Sequence, residues 1–143
     1  MLGAACSINA VITSVESEAD TMIKAADGIL TGSFVLTDDY VELPDGGGAD
    51  GAIEFAVSCP AVTSIRLFTQ VIAPDGGSNS FYIKVGAQSR VTWHIQKTSS
   101  FDIRTSPEVM LDAGINRLQL LGREDGIKIR TVTISGCIFL KAA

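Results

Sequence analysis

Ala113-Gly-Ile-Asn-Arg-Leu-Gln-Leu-Leu-Gly-Arg-Glu-Asp-Gly-Ile-Lys-Ile-Arg-Thr-Val-Thr-Ile134 is the stretch whose reading decides the fold. It contains two strand-like runs, 115–121 and 127–134, joined by Gly122-Arg-Glu-Asp-Gly126. Runs of β-formers separated by a short loop ending in Asp-Gly predict a hairpin, because Gly126 can adopt the positive φ of a tight reversal. In the second run Ile127 and Ile129 share one parity while Val132 and Ile134 share the other. A bulge near Arg130-Thr131 is therefore needed to keep all four inside.

The same two-residue alternation recurs upstream. Ile53, Phe55 and Val57 alternate with Glu54, Ala56 and Ser58; Phe81, Ile83 and Val85 alternate with Ser80, Tyr82 and Lys84; Val91, Trp93 and Ile95 alternate with Thr92, His94 and Gln96. Each reads as a strand with one buried face. Residues 64–73 read as one strand turning at Pro74-Asp-Gly-Gly77, residues 22–26 as a short strand or a helical turn, and 32–36 and 40–43 as short strands around Asp38-Asp39. Phe101-Asp-Ile-Arg104 and Glu108-Val-Met-Leu111 are shorter strands. Many short strands with Gly, Pro and Asp turns and no long helical period predict an all-β, two-sheet antiparallel β-sandwich.

Composition narrows the function classes. The 143 residues suit one domain, and 46% hydrophobic against 19% charged residues argue for a packed chain. Sixteen acids against eleven bases give a net charge of −5 with no Lys/Arg cluster, so nucleic acid is not an expected partner. No run approaches the roughly 18 apolar residues of a membrane-spanning helix. His94 is the only histidine, and no nucleophile elbow, zinc-binding helix or phosphate loop occurs, so no enzymatic activity is expected. Cys6, Cys59 and Cys137 are too far apart for a zinc ribbon or a redox pair. They read as buried free thiols, an intrachain bridge with one left over, or a link between chains.

Set beside Val71-Ile-Ala-Pro-Asp-Gly-Gly-Ser-Asn-Ser-Phe-Tyr-Ile-Lys-Val85 and Glu16-Ser-Glu18, the closing stretch resembles the jelly-roll carbohydrate-binding modules of families six and thirty-five, over roughly residues 16 to 135. The resemblance implies a noncatalytic, extracellular or cell-surface jelly roll whose partner is a polysaccharide or other glycan. It also implies a structural calcium, held by Glu16 and Glu18 together with an acid at the position of Arg130. Arginine cannot ligate a cation, so no cofactor is expected, and two readings stand. Either Arg130 replaces the metal as a forked donor between Glu16 and Glu18, or these are unrelated solvated side chains. If the acids and Arg130 are neighbours, continuing both strands brings Cys6 towards Cys137, the expected disulfide. Gly3-Ala-Ala-Cys6 resembles the end of a processed lipoprotein signal and reads as a truncated or mature start.

Sugar binding needs aromatic faces and planar polar groups. Tyr40, Tyr82, Trp93 and Phe101 are available as platforms. Tyr82 faces away from its core neighbours; Trp93 resembles the tryptophan of the related modules, yet shares parity with Val91 and Ile95. Asn79, Asp102 and Lys128 are the expected polar partners, with Lys128 standing where the related modules place a sugar-gripping Asn. The expected organisation is an extension strand within residues 1–15, a sandwich over 16–136 and a tail over 137–143. The β-branched run Ile8-Asn-Ala-Val-Ile-Thr-Ser-Val15 supports a second reading, an extracellular subunit that self-assembles into a filament or surface layer through edge strands.

Overall fold

The computed structural model describes residues 20–141. The run Ile8 to Val15, Glu16, Glu18 and Cys6 lie outside the described residues. In chain order the strands are β1 (Asp20–Lys24), β2 (Ile29–Gly32), β3 (Val35–Thr37), β4 (Tyr40–Glu42), β5 (Gly51–Cys59), β6 (Thr63–Ile65) and β7 (Phe68–Ile72). They continue as β8 (Ser80–Val85), β9 (Val91–His94), β10 (Asp102–Thr105), β11 (Val109–Leu111), β12 (Gly114–Leu121), β13 (Lys128–Ser135) and β14 (Ile138–Leu140). Residues 22–26 prove to be both alternatives read from sequence, the end of β1 followed by a 3-10 turn at Ala25–Asp27.

Two antiparallel sheets stack as a jelly roll. One runs β9-β8-β12-β5-β14, with β2 also paired to β5. The other runs β10-β7-β13-β4-β3, with β1 also paired to β13, and β11 and β6 form a small separate ladder. In the first sheet β12 follows one edge of β5, while β2 and β14 share the other. In the second, β7 follows one edge of β13; β4 opposes Lys128 and Ile129 on the other, and β1 opposes 131–135. The register shift that parity demanded falls between Ile129 and Thr131. It leaves Ile127, Ile129, Val132 and Ile134 all fully buried against Phe55, Phe81, Leu118 and Leu120.

The structure corrects three local readings. The runs 115–121 and 127–134 do not form a hairpin: β12 lies between β8 and β5 in one sheet, and β13 lies in the other. Each run has an apolar face that needs a partner across the core, so the five-residue link crosses between layers and the two strands stack without pairing. Gly126 has the expected positive φ of 90°, and its N–H donates to Leu43 O, tying the crossing to the end of β4. The segment 64–73 is two strands, β6 in the small ladder and β7 in the second sheet. Residues 138–140 are a strand of the first sheet, not a tail.

The disulfide expectation is also overturned: Cys137 bonds to Cys59, not to Cys6. Ile138 is paired with Ser58, which sets residue 137 beside Cys59 with Cα atoms 4.4 Å apart. The bridge joins the end of β5 to the segment leaving β13, and so ties the two sheets together. Thr21 Oγ1 donates to Cys137 O at 2.9 Å and binds β1 to the same point.

The bond closes a sequence separation of 78 residues. A Cys59→Ser/Cys137→Ser protein should lose roughly 3–5 kcal/mol in urea unfolding. Peptide mapping under non-reducing conditions should return the 59–137 pair; a 6–137 pair would refute the register of β14.

Candidate functional site

The five residues singled out as a binding site are divided between the two sheets. Asn79, Tyr82 and Trp93 belong to the first sheet and its loops, whereas Asp102 and Lys128 belong to the second. Trp93 is core, at 3% exposure with its ring edge-on to Phe81 at 5.0 Å, so it offers no open face to a sugar. Parity with Val91 and Ile95 had pointed that way, and it prevails over the resemblance. Asn79 is spent on structure: its amide donates to Ile95 O, and its backbone N–H donates to Glu124 Oε1 at 2.9 Å. Tyr82 does face outward, but Arg90 sits 3.9 Å from its ring centroid and Arg123 5.9 Å away.

Asp102 accepts hydrogen bonds from Arg104 Nη1 at 2.7 Å and from Ile103 N at 2.9 Å. The Arg104 bond, followed by the Ile103 N–H, holds its carboxyl below the ordinary carboxylate range. The side chain is exposed, so this is local geometry with little bearing on stability.

What the fold does assemble is a half-buried aromatic pair on the second sheet. Tyr40 starts β4 and Phe101 directly precedes β10, with β7 and β13 lying between those strands. Their ring centroids nevertheless stand 5.4 Å apart at an interplanar angle of 57°. Cations from β13 flank the pair: Lys128 Nζ is 5.6 Å from the Tyr40 ring, and the Arg130 guanidinium lies 3.9 Å from the Phe101 centroid. Such cation–π contacts are worth roughly 0.5–1 kcal/mol at exposed sites and more when desolvated.

Arg130 Nε also approaches Asp39 Oδ2 at 3.3 Å. The approach is off the hydrogen-bond direction, so the pair is an ion pair and the buried Nε–H has no acceptor. Beyond Arg130 a cleft of about 370 Å³ is lined by Met22, Lys24, Asp27, Asp38 and Asp39. Tyr40 and Phe101 were legible as platforms but not as partners, since 61 positions separate them and only the strand order unites them.

Among the described residues no three His, Cys, Asp or Glu side chains form a group that could hold a metal ion. The acids nearest Arg130 are interleaved with Lys24 and with Arg130 itself, a donor set unsuited to calcium, which takes 6–8 oxygen ligands. No helix among these residues is long and apolar enough to cross a membrane.

No family model matches the sequence, and no curated protein matches it. Solved structures do. A family 35 module in a Podospora anserina family 26 β-(1,4)-mannanase aligns with a TM-score of 0.69 at 19% identity, over 88% of this chain and 29% of that one. The C-terminal family 6 module of a Zobellia galactanivorans laminarinase aligns at 0.68 and 14% identity, over 82% of this chain and 99% of that one. A family 35 module called Xyl-CBM35, solved in complex with a disaccharide containing glucuronic acid, aligns at 0.59 and 17% identity over 85% of this chain and 97% of that one. The chain thus spans under a third of the mannanase and nearly the whole of each module. Its fold is the jelly roll of these modules.

Because Trp93 is core and Tyr82 is at the surface, their truncations should separate cleanly. Trp93→Ala should cost about 3–5 kcal/mol in chemical denaturation, and Tyr82→Ala about 1 kcal/mol or less. Equal losses would contradict this placement.

Proposed function

We propose that this domain is a noncatalytic carbohydrate-binding module of the extracellular space that holds its glycan against the Tyr40–Phe101 pair. The observation that carries the reading is the pair itself, two half-buried rings on a rigid sheet with Lys128 beside them. Because the rings touch each other and the Arg130 guanidinium covers one face of Phe101, a sugar stacks on the ring surface left uncovered, chiefly that of Tyr40, and does not enter between the rings. Lys128 and Arg130 supply donors to hydroxyls or carboxylates along the same surface. Two cations beside the rings favour a glycan that carries uronic acid, and the glucuronic-acid complex of a module with the same fold supports that choice. The Cys59–Cys137 bond suits an oxidising compartment.

Titration calorimetry against uronic-acid-bearing and neutral polysaccharides tests this reading. Phe101→Ala or Tyr40→Ala should weaken binding by roughly tenfold, about 1.4 kcal/mol. Lys128→Gln should weaken only acidic ligands, and Tyr82→Ala should leave affinity within about twofold of wild type, a shift of about 0.4 kcal/mol. Failure of the intact protein to bind any polysaccharide tested would sink the reading.

A second reading, self-assembly, draws on the outer edge of the first sheet. Among the described residues β2 and β14 pair only with β5, and Ile29, Ile138 and Leu140 are exposed there. An unpaired apolar edge is a template for a strand from another chain. Light scattering should then show concentration-dependent growth; a monomer at high concentration, with or without reductant, ends this reading.

A further inference from the structure

We propose that the Arg130 guanidinium serves in this chain as the structural cation of the fold, so that the junction of β1, β4 and β13 is held without calcium. The inference is independent of which glycan is bound. It begins with the ladder on β13, whose outer edge passes from β4 at Ile129 to β1 at Thr131. Arg130 stands at the handover, turned outward by the bulge. Carboxylates collect there from two turns, Asp27 from the 3-10 turn and Asp38 and Asp39 from the β3–β4 reversal. Asp38 holds a φ of 54°, a left-handed conformation that Asp tolerates better than most residues.

Three acids around one cleft repel one another unless positive charge is supplied. The chain supplies it. Arg130 Nε lies 3.3 Å from Asp39, Lys141 Nζ lies 3.2 Å from Asp27, and Lys24 lines the same cleft. The register of β1 sets Lys24 opposite Thr131 and Met22 opposite Thr133, while its one acid, Asp20, is four rungs away opposite Ser135. A divalent ion placed here would meet the positive charges of Arg130 and Lys24, which line the same cleft, and arginine stays protonated throughout the working pH range. The guanidinium also does what a spherical ion cannot, since its plane covers Phe101 at 3.9 Å while its edge faces the residue before Tyr40. Arg130 is therefore a positioning residue for the aromatic pair.

Thermal melts of the full chain in millimolar calcium and in chelator should coincide within about 1 °C, and calorimetric titration with calcium alone should show no binding heat. Arg130→Gln should lower Tm by about 3 °C or more in both conditions. Arg130→Lys should recover part of that loss, because it keeps the charge without the planar stack. In NMR spectra the ring-current shift on the Arg130 side chain should identify the stack in wild type, and Tyr40 ring resonances should move in Arg130→Gln more than in Arg130→Lys. A wild-type Tm raised by calcium by about 3 °C or more, or an Arg130→Gln protein that melts with wild type, would overturn the proposal. If Arg130→Gln does not fold, the wild-type calcium and chelator melts decide it alone.

Discussion

Ile127, Ile129, Val132 and Ile134 must all point into one interior although their spacing, from the residue before β13 along the strand, would place them on opposite faces of a regular strand. Burying a side chain of this size stabilises by about 1.5–3 kcal/mol, so forgoing two of the four would cost more than a single irregular rung. The strand accordingly accommodates one extra residue between Ile129 and Thr131. That slip turns Arg130 and Thr131 to the outer face, where Thr131 bonds Gln70 and Arg130 lies over Phe101. It also marks where β4 ends and β1 begins along the same edge. The surface chemistry of the second sheet thus follows from a demand of the core.

Stacking shapes the connections in the same way. β12 and β13 are adjacent in sequence and both interior strands, each with its two edges already occupied. Their apolar faces meet across the core, and the intervening loop becomes a bridge between layers. The link from β7 to β8 through Pro74 also crosses between the layers, in the opposite direction. The Cys59–Cys137 bond reinforces this arrangement at the opposite end of β13, where the chain leaves the second sheet to enter β14 of the first.

Charge has a local role in this molecule. The ion pairs among the described residues are at least partly exposed, and pairs of that kind contribute little individually. Arg130 differs because its guanidinium is shared between a carboxylate and an aromatic face, so it couples a turn, a strand and a ring. On the proposed reading, specificity depends on which cations stand beside Tyr40 and Phe101, more than on the overall acidity of the chain.

The sequence by itself determined the layered all-β class, the identity of most buried positions, the bulge near Arg130 and the positive φ at Gly126, because each rests on alternation or on the local conformational limits of a residue. It also carried, through short motifs, the likeness to carbohydrate-binding jelly rolls. Only the tertiary structure decided that the closing strands stack and do not pair, that Cys137 finds Cys59, and that Tyr40 meets Phe101. The physical reason is common to all three: each depends on strand order and register between segments distant in the chain, and the two-residue period that reveals a strand's inner face says nothing about which strand lies beside it.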